Sequence, residues 1–183
     1  MNFNRYITEA EFSELAAFIR REGVVRRFAR GERLSGQGLR SHRCGLVVQG
    51  AFRYVYADAA GEEHVVGYAF AGEFVGDYIS MCVDAPSQVT IGAMCGAEAL
   101  LVPGERLETF YRTDAACERL GRRLAEHMLA EVYERLLDRY AASPQQRYEA
   151  LTERCPDVLQ LVPLRELASY LGVRPETLSR IRR

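Results

Sequence analysis

Three hydrophobic patterns succeed one another along the chain. Residues 8–20 place Phe12, Leu15, Ala16 and Ile19 at three- and four-residue steps, which predicts a helix with one apolar face. Thr8, with Glu11 three residues on, predicts an N-cap and capping box at its start. From about residue 24 to 103 the period shortens. Runs of β-formers at 24–25, 45–48, 52–56, 64–68, 89–91 and 99–102 alternate with glycine-bearing breaks at 31–32, 36, 50, 61, 72 and 76. Strands at this spacing predict a barrel or a sandwich.

The third pattern is a long helical stretch over 114–140, with no Gly after Gly121, no Pro, and no Ser or Thr. At ~1.5 Å per residue it is roughly 40 Å long. Leu120, Leu124, Met128, Val132 and Leu136 continue a stripe begun by Cys117. Leu129, Tyr133, Leu137 and Tyr140 form a second stripe beside it. Two apolar faces leave two readings open: a helix buried in its own domain, or a self-associating helix that also supports a neighbour. Ser143 and Pro144 suit the N-cap and first turn of a further helix running to about Glu153.

Residues 162–183 read as two short helices about a glycine turn. Leu164, Leu167, Ala168 and Leu171 make the inner face of the first, and Gly172 supplies a left-handed stop. Pro175 opens the second, whose inner face is Leu178 and Ile181. Its outer face carries Arg174, Glu176, Thr177, Ser179, Arg180 and Arg183. Such a helix fits a major groove. Arg180 suits guanine O6/N7 and Glu176 suits cytosine N4. Arg174, Thr177 and Ser179, with Arg165 adding positive charge from the first helix, suit phosphates.

Charge sharpens this reading. The chain has a net charge of −1, yet 161–183 holds five Arg against two Glu, a local +3 that leaves −4 elsewhere. A basic tip on an acidic body fits a DNA-binding module attached to something else. The five cysteines (44, 82, 95, 117 and 155) form no C-x-x-C pair, so no zinc site or iron–sulfur cluster is suggested. The three histidines (42, 64 and 127) are isolated, so no metal or cofactor is assigned. No apolar run is long enough to span a bilayer and no signal peptide is apparent, which makes a cytoplasmic location the expectation and excludes membrane partners.

On the segments 166–172 and 175–181 (Pro-Glu-Thr-Leu-Ser-Arg-Ile), the chain resembles the Crp/Fnr superfamily of transcription regulators. Gly31-Glu32, 47–50, Gly61 and 72–77 fall where that family's cyclic-nucleotide-binding-type barrel turns, and 143–148 resembles the start of its winged-helix domain. The resemblance implies an α+β fold: an N-terminal antiparallel β-barrel of the jelly-roll type (1–113), a dimerisation helix (114–142) and a C-terminal winged helix-turn-helix (143–183). It implies a homodimer, a palindromic operator in double-stranded DNA and RNA polymerase as a candidate partner. It also implies an effector pocket at Gly72, Glu73, Phe74, Val75, Gly76, Asp77, Ser87, Gln88 and Val89.

That pocket departs from the cyclic-AMP-binding pattern. Aligned through Ile91 and Ala93, the family's phosphate-holding arginine and serine fall on Ser87 and Gln88, and no arginine lies between residues 54 and 105. A cyclic phosphate loses its bidentate partner. The effector expected is therefore an unidentified small molecule other than cyclic AMP. The Fnr-type N-terminal cysteine cluster is also absent, since 1–43 contains no cysteine. Position 175, often a guanine-reading arginine in the family, is proline here. The competing classes are a β-barrel small-molecule binding protein whose C-terminal hairpin contacts other proteins, and a cupin-type enzyme. The latter needs clustered His and Glu ligands that this spacing does not supply, and the expectation is a protein without catalytic activity.

Overall fold

The computed structural model describes residues 3–4, 7 and 10–182. Thr8, expected to cap the first helix, and Arg183, expected at the DNA surface, lie outside the described residues. Helix α1 (Ser13–Glu22) begins later than expected, at Phe12, whose side chain makes no capping bond. Leu15, Ala16, Phe18 and Ile19 are its buried face.

Eight strands follow: β1 (Val24–Phe28), β2 (Arg33–Ser35), β3 (Arg43–Gln49), β4 (Ala51–Ala57), β5 (Glu63–Phe70), β6 (Phe74–Gly76), β7 (Thr90–Ala93) and β8 (Ala97–Pro103), with a short helix α2 (Tyr78–Cys82) between β6 and β7. They pair antiparallel in two four-stranded sheets of order β1-β8-β3-β6 and β2-β7-β4-β5. The sheets face one another across a core that includes Phe28, Val47, Phe52, Val75, Ile91 and Leu101. Phe28 and Phe52 meet edge to face at 5.1 Å. Two glycines are required by geometry. Gly50 turns the chain from β3 into β4 at φ 83°. At Gly45 an added Cβ would stand 1.8 Å from the Leu100 carbonyl oxygen, so only glycine lets β3 pair so closely with β8.

Helix α3 (Gly104–Tyr111) leads into α4 (Ala115–Ala141). Asp114 starts α4 by accepting the amides of Ala116 and Cys117, both at 2.8 Å. The first half of α4 packs inward: Leu124 is buried and Leu120 and Met128 are half-buried, against α1, α3 and the Cys44–Leu46–Val102 surface of the barrel. The second half does not. Leu129, Val132, Tyr133, Leu136, Leu137 and Tyr140 are all exposed. The expected stripe from Leu120 to Leu136 is thus divided between the chain's own core and an open apolar face.

Ser143 and Gln146 form a reciprocal capping box at α5 (Pro144–Arg154), as the Ser-Pro start predicts. Helices α6 (Val158–Leu161), α7 (Leu164–Leu171) and α8 (Pro175–Ile181) complete the described chain, and no strand follows α8 among the described residues. These four helices share one hydrophobic cluster with the barrel. Leu151, Cys155, Val158, Leu167, Leu171 and Leu178 pack with Val55, Val65, Tyr68 and Phe70.

Candidate nucleic-acid interface and effector cavity

The α7–α8 hairpin is set by backbone chemistry. Gly172 adopts φ 66° and ψ 38°, the left-handed conformation expected of it. The Gly172 amide donates to the Ser169 carbonyl and the Val173 amide to the Ala168 carbonyl, each at 3.0 Å. That pair of bonds is the Schellman arrangement, which satisfies the last carbonyls of α7 and turns the chain sharply. Pro175 occupies the first turn of α8, where its missing N–H costs nothing. Leu178 is fully buried beneath Leu167 and Ala168, which fixes the rotation of α8.

That rotation decides what faces solvent. Arg174, Glu176 and Arg180 are exposed, as is Arg165 on α7, while Thr177 and Ser179 are half-buried. The rim of α8 is therefore polar and basic over its whole outer side. Among the described residues, no ion pair occupies Arg165, Arg174 or Arg180.

Helix α7 is docked on the barrel. Its partner is β5, an edge strand with one row of unpaired backbone groups. Three side chains cover that edge. The Val65 amide donates to Ser169 Oγ at 2.9 Å. Arg135 Nη1 donates to the Val66 carbonyl at 2.7 Å, and Asn4 Nδ2 to the Tyr68 carbonyl at 3.2 Å. Arg53 of β4 bonds Glu166 of α7 at 2.9 Å, and the Arg135 guanidinium lies 4.5 Å from the Tyr170 ring centroid. Nothing in the sequence pattern pointed to this contact, because a half-polar helix and an edge strand carry no mutual signature.

A cavity of about 650 Å³ runs from the barrel mouth, along α4, to α5 and α7. Of the expected effector residues, Phe74, Val75, Gly76, Asp77 and Val89 line it. Gly72, Glu73, Ser87 and Gln88 do not. Gly72 is an exposed turn residue and Gln88 is exposed. Ser87 is buried, with its hydroxyl 2.5 Å from Asp77 Oδ2 and 2.7 Å from the Val89 carbonyl. Asp77 also N-caps α2, accepting from Ser80 N at 3.3 Å and from Ser80 Oγ at 2.6 Å. The hydroxyls that could hold an anion here are thus turned onto a carboxylate of the chain itself. Glu73 is buried and accepts four N–H bonds, from Phe3, Phe70 and twice from Asn4. Burial pushes its carboxyl above the usual range, and the N–H bonds from Phe70, Asn4 and Phe3 pull against that rise. The arginines that line the cavity (135, 139, 147 and 154) belong to α4 and α5, not to the barrel.

One histidine is less isolated than its position along the chain implies. At the β4–β5 hairpin the ligand atoms of Asp58, Glu62 and His64 lie within 4.8 Å of one another. Asp58 Oδ1 already accepts the amides of Ala60 and Glu62, and its Oδ2 sits 2.9 Å from His64 Nε2. These bonds hold the hairpin turn, and we assign the cluster that role.

Residues 25–114 match the family model of the cyclic nucleotide-binding domain. No curated protein sequence matches the chain significantly. Solved structures do share its fold. FixK2 of Bradyrhizobium japonicum superposes with a TM-score of 0.70 at 19% identity, over 87% of this chain and 82% of that one. CLP, a c-di-GMP-responsive global regulator of Xanthomonas campestris, gives 0.62 at 18% identity, over 94% and 88%. The catabolite activator protein of Thermus thermophilus gives 0.59 at 18% identity, over 99% and 84%. Residues 25–114 are thus similar to the cyclic nucleotide-binding domain, and the chain as a whole shares the fold of these solved structures.

Proposed function

We propose that the protein is a sequence-specific DNA-binding transcription regulator, with a sensor at 1–113, a dimerisation helix at 114–142 and a DNA-binding head at 143–183. Two copies associate through the exposed apolar half of α4 and present their α8 helices to a palindromic operator. The observation that carries this reading is the hairpin itself: a glycine-turned pair of helices whose second member buries Leu178 and exposes Arg174, Glu176 and Arg180. Arg180 and Glu176 read base edges; Arg165, Arg174, Thr177, Ser179 and Arg183 contact phosphates. RNA polymerase is a further partner of a regulator acting as an activator.

The effector is a small molecule other than cyclic AMP. Asp77, with Ser80 and Ser87 bonded to it, puts a carboxylate where the resemblance would place a phosphate, and the cavity's arginines come from α4 and α5 rather than from the barrel. Selection of random duplexes by the purified full-length chain tests the function. An enriched motif with two-fold symmetry is the expected result. A chain that enriches no sequence at low salt is instead a binding protein whose hairpin serves protein contacts.

A further inference from the structure

The junction between barrel and head is closed by an aromatic ring from a third place in the chain. Phe3 is 1% exposed. Its ring centroid lies 5.3 Å from that of Tyr68 and 5.7 Å from that of Phe70, both on β5, and 5.2 Å from that of Tyr170 on α7. The Arg154 guanidinium of α5 stands 5.5 Å from the same centroid. One side chain thus touches the edge strand of the barrel and two helices of the head.

The hydrogen bonds of Phe3 and Asn4 to the described residues go to the barrel side. The Phe3 and Asn4 amides donate to Glu73 Oε1 at 2.5 and 3.2 Å, and Asn4 Nδ2 donates to Glu73 Oε2 at 3.0 Å. Asn4 Nδ2 also reaches the Tyr68 carbonyl. A carboxylate this deeply buried needs hydrogen-bond donors, and the segment provides three of its four. The direct polar contacts between α7 and the barrel are few by comparison: Ser169 with Val65, and Arg53 with Glu166.

We propose that Phe3 and Asn4 form a strap, anchored on Glu73, that holds the head against edge strand β5. The claim rests on the reading of 143–183 as the DNA-binding head, since it describes control of that head's position. The geometry divides the work between the two residues. Asn4 and the two amides fix the segment to the barrel, and the Phe3 ring carries that fixation across to Tyr170 and Arg154. Both residues also line the cavity, so its contents and the strap share a wall. Removing the ring leaves the barrel's own core, centred on Phe52 and Ile91, untouched. It frees α7 to lift from β5, which exposes the Val65 amide that Ser169 covers.

Amide hydrogen exchange followed by NMR on full-length Phe3→Ala tests this without DNA or effector, so a failure of the regulator reading leaves the result interpretable. Exchange at Val65 and at the amides of α7 is expected to rise at least tenfold, while β3 and β8 stay as in the unaltered protein. Phe3→Leu, which keeps an apolar body, recovers most of the protection. Asn4→Ala, which loses two bonds but keeps the ring, gives a smaller rise at the same amides. An unchanged rate at Val65 would overturn the strap. A uniform rise that includes β3 and β8 would also overturn it, because Phe3 would then be an ordinary core residue.

Discussion

Arg53 Nη1 lies 2.9 Å from Glu166 Oε1, and this contact joins two residues 113 positions apart. It links β4 of the barrel to α7, the first helix of the hairpin. Arg53 is also within 3.6 Å of Glu63, so the guanidinium sits between two carboxylates. Glu166 Oε2 is buried and has no hydrogen-bond partner among the described residues, which makes the pair sensitive to loss of its cation. Arg53→Ala leaves that carboxylate unmatched and is expected to cost about 1–2 kcal/mol, reduced by partial exposure of both side chains. Urea unfolding checks it, and Arg53→Glu combined with Glu166→Arg should recover part of the loss in a double-mutant cycle. Additive losses would mean the two residues are not coupled.

The divided face of α4 gives two opposite outcomes. Leu129→Glu with Tyr133→Glu places charge on the exposed apolar half and is expected to yield folded monomers in sedimentation velocity. Leu124→Glu buries a carboxylate beside α1 and α3 and is expected to unfold the chain or cost more than about 3 kcal/mol. Dimers that survive the first pair of substitutions would reject the association face.

Cyclic AMP should give no heat by titration calorimetry at millimolar ligand. Its phosphate would meet the Asp77 carboxylate, and two like charges about 4 Å apart repel by about 4 kcal/mol at an effective dielectric of 20. No arginine of residues 54–105 is available to offset this. A micromolar dissociation constant would show that the effector end is misread.

Thiol chemistry reports on the fold independently. Cys44 is buried, which pushes its thiol up to about 12; neighbouring Cys82 adds to the shift. Its reactive thiolate is therefore scarce at any pH below that value. Alkylation of the native protein near neutral pH is expected to modify exposed Cys82 and Cys95 and to spare Cys44, Cys117 and Cys155. Burial also raises the Cys82 thiol, so its rate should climb as pH increases. Five equally reactive thiols would contradict the packing.

Much of this architecture is legible in the sequence where a local rule governs it. Gly172 reads as a helix stop because only a left-handed residue closes that turn, and Ser143-Pro144 reads as a helix start because both residues act within one turn. Strands β3, β4, β5 and β8 are long enough to show their runs of β-formers. Strands β2 and β6, at three residues each, are too short to show a period. Periodicity in α4 identifies an apolar face but not what covers it: Leu124 meets the chain's own core and Val132 is exposed. The effector residues divide for a similar reason. Glu73 is a buried anchor for Phe3 and Asn4, a role set by contacts 69 and 70 residues away that no motif encodes.

The most direct measurement is fluorescence anisotropy of the full-length protein on the duplex obtained by selection, comparing the unaltered chain with Arg180→Ala and Arg174→Ala. Arg180→Ala should lose at least tenfold in affinity and relax the preference at one base pair of each half-site. Arg174→Ala should weaken all duplexes alike and lower the salt slope by about one. Sequence preference that survives intact in Arg180→Ala would contradict the placement of α8 in the major groove.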